Sequence, residues 1–82
     1  MSNEKLREEL RAMIAEVSEV DEIPDETPFK ELGIDSMMAV EIAAEVERTY
    51  KLAIDETELV ELTNFQNVYQ LVEKKLKAQA AS

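Results

Sequence analysis

Apolar residues recur every three or four positions along most of this chain, which is the spacing of one face of an α-helix. The first such stripe consists of Leu6, Leu10, Met13, Ile14 and Val17. With Ser2 or Asn3 as its N-cap, it predicts a helix that ends near Ser18 and lays one face on a core. No stretch of the sequence alternates for long enough to predict a β-strand.

The helical pattern lapses over residues 19–35. Pro24 disfavours helix at the residue before it. Thr27 followed by Pro28 predicts the cap and the first position of a short helical turn, which Gly33 closes. We expect the apolar residues of this segment to enter the core, namely Ile23, Phe29, Leu32 and Ile34.

The same segment is rich in carboxylates, those of Asp21, Glu22, Asp25 and Glu26. Their spacing is not that of an EF-hand, and no glycine occupies the centre of the loop. We therefore interpret them as a solvated acidic loop and not as a calcium site.

The second helical stretch, about Ser36 to Tyr50, follows a sharp turn. Gly33 can adopt a positive φ at little cost, and Asp35 is suited to cap the helix by accepting from its free amides. Ser36 would then lie at the positive end of the helix with its hydroxyl in water, where an attached anion is stabilised.

Projecting this helix at about 100° per residue separates two faces. The face expected to be buried consists of Ala39, Ile42, Ala43, Val46 and Tyr50. The face expected to dock a partner consists of Met37, Met38, Glu41, Ala44, Glu45, Glu47 and Arg48. Its carboxylates would guide encounter, and its methionines would supply adaptable contact area. We expect Met38 to be exposed, whereas Met37 and Val40 could equally lie in the core.

Two further cap signals follow. Asp55 with Glu58 predicts the start of a short third helix that ends near Leu62. Thr63 with Gln66 predicts a capping box for a fourth helix, which frays over residues 78–82. Its buried stripe consists of Phe65, Val68, Tyr69, Val72 and Leu76. The predicted fold is a single all-α domain over residues 1–82, a four-helix bundle with a short third helix and a long loop between helices 1 and 2.

Composition restricts the chemistry of Ser36. The chain has no histidine and no cysteine, so it lacks the usual base of a serine nucleophile and the thiolate or imidazole ligands of zinc. Its formal net charge of -10 repels nucleic acid and anionic membranes and favours partners with basic patches. With no signal peptide and no apolar run of membrane-spanning length, we expect a cytoplasmic monomer that does not insert into membranes.

The motif Leu32-Gly33-Ile34-Asp35-Ser36-Met37, followed by Val40-Glu41-Ile42 and Val46-Glu47, is similar to the attachment motif of acyl carrier proteins. The resemblance covers essentially the whole chain, with methionine at position 37 where leucine is usual. It implies that a phosphopantetheinyl transferase moves 4'-phosphopantetheine from coenzyme A onto Ser36, beside Asp35, and supplies the base and magnesium itself.

The resemblance also implies that the chain is not an enzyme. The thiol of the arm would hold acyl groups as thioesters and present them to acyl-transfer, ligase or synthase enzymes. Family members can shelter the acyl chain between the second and third helices. The residues here that would line such a pocket are Val46, Ile54, Leu59 and Leu62.

Two departures bear on the pathway. Fatty-acid carriers commonly have acidic residues at the positions of Met38 and Arg48, while Glu41 and Glu47 keep the pattern. These departures argue against routine fatty-acid elongation and indicate a specialised carrier, for polyketide or other dedicated acyl chemistry, with fatty-acid biosynthesis as the other alternative. The Asp-Ser-Met sequence is also similar to D-alanyl carrier proteins. The alternative from another class is an unmodified acidic bundle that binds a partner helix, with Ser36 as a plain capping residue.

Overall fold

The protein is a bundle of helices in a computed structural model, which describes residues 4–81. Its elements, in order, are α1 (Glu4–Ser18), a 3-10 helix (Phe29–Leu32), α2 (Ser36–Tyr50), α3 (Glu56–Leu59) and α4 (Phe65–Ala81). Residues 4–81 contain no strand, and the predicted all-α fold of four helices is confirmed. The predicted cap at Ser2 or Asn3 lies outside the described residues.

The core is built from the predicted stripes and from the loop between α1 and α2. The α-helices contribute Leu6, Leu10, Ile14, Ile42, Ala43, Val46, Phe65, Val68, Tyr69 and Val72, the 3-10 helix contributes Phe29, and the irregular segments contribute Ile23, Ile34 and Leu62. Met13, Val17 and Ala39 lie at the edge of their stripes and are only half-buried. Since these side chains come from α1, α2, α4 and the segments between helices, the loop between α1 and α2 is held by its own apolar residues as well as by the helices around it.

The third helix is shorter than predicted. The capping box is present, because Asp55 Oδ1 accepts from Glu58 N at 3.0 Å and Glu58 Oε1 accepts from Asp55 N at 3.1 Å. The α-helix nevertheless ends at Leu59, and turn bonds such as Glu61 N to Glu58 O carry the chain onward. Leu62 is buried from this turn and not from a helix.

Two predicted caps are wrong. Asn64, and not Thr63, caps α4, because Asn64 Oδ1 accepts from Asn67 N at 2.8 Å. The 3-10 helix has Pro28 at its N-cap position without a side-chain bond, so Thr27 caps nothing there. In both places the N-cap position lies one residue later in the chain than the sequence pattern predicted.

The contacts of Asp25 correct the interpretation of residues 21–26 as a solvated acidic loop. Its carboxylate pairs with Arg7 Nη2 at 2.7 Å and with Arg11 Nη2, and its backbone oxygen accepts from Gln66 N at 2.9 Å. The hydrogen bond from Arg11, with the charges of Arg11 and Arg7, holds the pKa of Asp25 below its usual range. The loop is thereby fastened to α1 and to the start of α4.

The same two arginines lie over aromatic rings of α4. The guanidinium carbon of Arg11 is 4.2 Å from the ring centroid of Phe65, and that of Arg7 is 4.5 Å from the ring centroid of Tyr69. Such cation-π contacts add to the ion pairs. Sequence reasoning missed this cluster because Arg7 and Arg11 lie beside the apolar stripe of α1 and carry no motif.

Helix α4 continues to Ala81, so helical backbone extends into the segment for which fraying is predicted. Within residues 4–81, none of the helices has the length and apolar character needed to cross a bilayer.

Candidate functional site

The turn that leads into α2 depends on Gly33. Its φ is 81°, in the left-handed region, and its N–H donates to Lys30 O at 3.2 Å to close the 3-10 helix. The next residue, Ile34, is buried, and its N–H donates to Phe29 O at 2.9 Å. The chain is therefore anchored in the core immediately before the helix that carries the serine.

Asp35 caps α2 as predicted. Its backbone is extended, with φ -87° and ψ -178°, and its Oδ1 accepts from Met38 N at 2.9 Å. The first backbone bond of the helix runs from Ala39 N to Asp35 O at 2.9 Å. The backbone amides of Ser36 and Met37 come before these bonds in the chain and are the free donors of the helix N-terminus.

Ser36 is the first residue of α2 and is exposed. Among residues 4–81, nothing forms a hydrogen bond with its hydroxyl, whereas the hydroxyl of Thr57 at the start of α3 donates to Asp55 Oδ1 at 2.6 Å. The Ser36 hydroxyl is thus accessible to another molecule. The dipole of a 15-residue helix favours negative charge at this end.

The carboxylate beside Ser36 belongs to the cap of α2. The nearest carboxylate in sequence, that of Asp35, already accepts the capping bond. Within the described residues, no group of acidic side chains is placed to hold a metal ion.

The predicted docking residues on α2 lie on its outer side to different degrees. Met37 is 76% exposed, so the alternative that it lies in the core is wrong. The other exposed members of the set are Glu41, Ala44 and Arg48. Val40, which could have been a core residue, is 51% exposed and belongs to the same surface.

Met38 corrects the prediction of exposure. It is half-buried and packs against the core. The buried arc of α2 centres on Ile42 and Val46, so Met37 lies at the middle of the opposite, exposed arc. Met38 is rotated by about 100° from Met37 around the helix axis, which places it at the flank of the buried arc. The outward methionine of the pair is thus Met37.

Two predicted docking carboxylates have partners within the chain. Glu45 forms an ion pair with Arg48, one turn later on α2. Glu47 is half-buried, and its Oε2 accepts from Ile54 N at 3.0 Å. Glu47 therefore fastens the link between α2 and α3, and Glu41 is the free carboxylate of this face within the described residues.

The four predicted pocket residues all belong to the packed interior between α2, α3 and the turn after α3. Val46 and Leu62 are buried, and Ile54 and Leu59 are half-buried against the core. Leu62 also lines an open groove beside Leu71 of α4. Their contact with an acyl chain stays a prediction.

Comparison with known proteins identifies the family to which most of the chain is similar. The profile of a family described as "Phosphopantetheine attachment site" matches residues 8–72, which is most of the chain.

Similar sequences occur as separate proteins and as parts of much longer ones. A protein of Streptomyces avermitilis, "Polyketide-8 synthase acyl carrier protein 2", is 38% identical over 73 residues, covering 85% of this chain and 84% of its own length. The "Non-reducing polyketide synthase pigA" of Monascus ruber is 42% identical over 69 residues, or 82% of this chain. The chain spans only 3% of the length of that synthase.

Two solved structures have the same arrangement of helices. An acyl carrier protein from Thermotoga maritima superposes with a TM-score of 0.81 at 24% identity, covering 94% of this chain and 98% of its own. A chain in the structure described as "The ishigamide ketosynthase/chain length factor" superposes with a TM-score of 0.75 at 30% identity, covering 93% and 99%.

Proposed function

The chain belongs to the acyl carrier proteins, the family that contains the phosphopantetheine attachment site, and we propose that Ser36 Oγ carries the 4'-phosphopantetheine arm in polyketide synthesis. Membership of this family makes the chain a carrier and not an enzyme, with phosphopantetheine as its prosthetic group. The observation that supports Ser36 most directly is its exposed hydroxyl at the first position of α2.

In the proposed attachment, Ser36 Oγ forms a bond to the phosphorus that bears pantetheine in coenzyme A. The bond from that phosphorus to the pyrophosphate oxygen breaks, and adenosine 3',5'-bisphosphate leaves. The proton of the hydroxyl passes to a base of the phosphopantetheinyl transferase, which also supplies magnesium. The chain itself contributes the accessible oxygen and a helix N-terminus that favours the new negative charge.

Once attached, the arm supplies a thiol that holds an acyl group as a thioester. The chain keeps this group close to whichever enzyme has docked, which raises its local concentration there. Rigid placement of the start of α2 by Asp35 and the buried Ile34 fixes the point from which the arm extends.

Two observations favour polyketide synthesis. Relatives at 38% and 42% identity are named as a polyketide synthase acyl carrier protein and a polyketide synthase. Met38 and Arg48 stand where the resemblance places acidic residues in fatty-acid carriers. Fatty-acid elongation and D-alanyl transfer are the alternatives that the sequence raises.

We further propose that partner enzymes approach the outer side of α2 near Ser36. Met37 and Val40 provide apolar surface there, and Glu41 provides negative charge. Basic patches on the transferase and on acyl-transfer or synthase enzymes would complement the formal charge of -10.

The proposal is tested by incubating the protein with coenzyme A and a broad-specificity phosphopantetheinyl transferase, and then measuring its intact mass. We expect one added arm on the wild type and none on Ser36→Ala. Thr57→Ala is the matched control, because Thr57 also lies on the first turn of a helix capped by aspartate, and it should gain the arm. An unmodified wild type, or a modified Ser36→Ala, would contradict the assignment.

The pathway is tested on the loaded carrier. With malonyl-coenzyme A and polyketide-synthase enzymes, we expect malonyl loading and chain extension on the arm. Loading by a fatty-acid synthase system alone, or by a D-alanine ligase alone, would overturn the polyketide assignment and leave Ser36 as the attachment residue.

A further inference from the structure

A second surface feature lies between α1 and α2, and it shares Glu41 with the docking surface proposed near Ser36. It is an open groove of about 760 Å³. Four carboxylates line it, those of Glu9 and Glu16 on α1 and of Glu41 and Glu45 on α2. None of the residues that line it is a lysine or an arginine.

The floor of this groove is apolar. Met13, Val17 and Tyr50 line it and are half-buried, so each presents part of its side chain to the groove. Ala12 also lines it and is exposed, and its small side chain leaves the floor open. An apolar floor between acidic sides is complementary to a segment with an apolar face and cationic flanks.

The two walls are joined at one end. Tyr50 Oη donates to Glu9 Oε2 at 3.1 Å, from α2 to α1. Burial, followed by the hydrogen bond and the charge of Glu9, raises the pKa of Tyr50 to about 12, so the hydroxyl remains a donor at neutral pH. Elsewhere in the groove, Glu16 and Glu41 have no ion-pair partner among residues 4–81.

We infer that this groove binds an amphipathic helix of a partner protein, with leucine-like residues on its floor and lysine or arginine residues against its four carboxylates. The lining on α1 extends from Glu9 to Val17, which is about 12 Å of helix axis, or roughly two turns of an occupant. Such a helix would present apolar anchors at positions i, i+3 or i+4, and i+7.

A second copy of this chain is a poorer occupant. Each copy has a formal charge of -10, so association between copies opposes like charges. On α4, where lysines collect, Lys75 and Lys77 are already paired with Glu58 and Glu73.

The test uses Ser36→Ala protein, which lacks the proposed attachment oxygen, so that its result is independent of arm attachment. A helical peptide of leucine and lysine, about 14 residues long, is titrated into isotope-labelled protein while amide chemical shifts are recorded. We expect shifts confined to α1 and α2. The same peptide with glutamate in place of lysine should not bind.

Two pairs of variants separate the groove from net charge. Glu16→Gln with Glu41→Gln should weaken peptide binding roughly fivefold or more. The control, Glu8→Gln with Glu56→Gln, makes the same change in net charge at exposed residues outside the groove, and should weaken binding less than about twofold. Equal weakening by both pairs would overturn the inference.

The floor is tested in the same way. Ala12→Arg places a long cationic side chain on it and should abolish detectable binding, whereas Ala78→Arg adds the same charge at an exposed position of α4 and should leave binding unchanged. Peptide-induced shifts centred on α4, or concentration-dependent shifts of α1 and α2 without peptide, would also contradict the inference. The latter result would assign the groove to a second copy of the chain. Circular dichroism verifies that each variant is folded.

Discussion

Arg7 Nη2 donates to Asp25 Oδ2 at 2.7 Å, across 18 residues of sequence. The guanidinium of Arg7 also lies over the ring of Tyr69 and donates to Gln66 Oε1 at 3.3 Å. One side chain of α1 therefore contacts both the first loop and α4. Because this loop leads to the turn before Ser36, its attachment contributes to placing the functional helix.

Asp25→Asn should lower the free energy of unfolding by about 1 kcal/mol, since it removes the charge shared by Arg7 and Arg11. The estimate is kept small because the Asp25 side chain is 41% exposed and water screens the pair. Urea denaturation measures the change. Asp21→Asn is the matched control, an exposed carboxylate of the same loop, and should stay within about 0.5 kcal/mol of wild type. Equal effects of the two variants would show that the ion pairs do not hold the loop.

The ion pairs of Asp25 also predict that the free energy of unfolding depends on pH. The hydrogen bond from Arg11 lowers the pKa of Asp25 in the folded state below the ordinary 3.8, so the unfolded state binds more protons as the solution is acidified. The stabilisation is therefore fully present above the unfolded-state pKa and is lost as pH falls toward the folded-state value. The difference in unfolding free energy between wild type and Asp25→Asn should shrink from pH 7 to pH 3. A difference that stays constant would contradict the lowered pKa.

The local structure around Ser36 could be predicted from the sequence because it depends on residues that are close by in the chain. Gly33 takes a positive φ, Asp35 caps α2 and Ile34 enters the core, each for a reason present in the residue itself. The proposed function of Ser36 rests on the resemblance of the whole motif, since a serine at a helix start is usually a cap.

The remaining features were decided by tertiary contacts. Asn64 caps α4 in place of Thr63, whose backbone oxygen accepts from Phe29 N at 2.7 Å. Met38 lies at the flank of the buried arc of α2, and only the packing of neighbouring elements determines how far that arc extends. The partners of Asp25 are likewise distant in sequence, which no spacing rule within the loop could indicate.

Gly33→Ala should destabilise the protein by about 1 kcal/mol through backbone conformation alone. No atom lies within 4 Å of an added Cβ, so steric overlap does not contribute, while the φ of 81° disfavours alanine. Gly33→Asn should cost less, because asparagine tolerates the left-handed region better. Thermal or urea denaturation of the three proteins verifies this order, and an equal loss for both variants would contradict it.

Asp35→Ala should lower stability by about 1 kcal/mol, since Met38 N loses its acceptor at the start of α2. Asp35→Asn should nearly retain stability, because an amide oxygen can accept the same bond. We also expect Asp35→Ala to slow arm transfer by the transferase, as the first turn carrying Ser36 becomes less ordered. Asp55→Ala, the same change at the cap of α3, should lower stability without slowing transfer. Equal slowing by the two alanine variants would assign the effect to general destabilisation.

Met37→Gln should weaken docking of the transferase while leaving the fold unchanged. Met37 is 76% exposed, so its replacement removes almost no buried apolar area from the bundle, whereas burial of a methionine side chain at an interface stabilises by about 1.5 to 3 kcal/mol. Partial burial of Met37 at the interface with the transferase predicts that Met37→Gln raises the KM of the transferase for this chain roughly tenfold, with little change in kcat. Met37→Leu keeps the apolar surface and should retain the KM of wild type. An unchanged KM for Met37→Gln, or an equal rise for both variants, would show that this side chain does not contact the transferase through apolar burial.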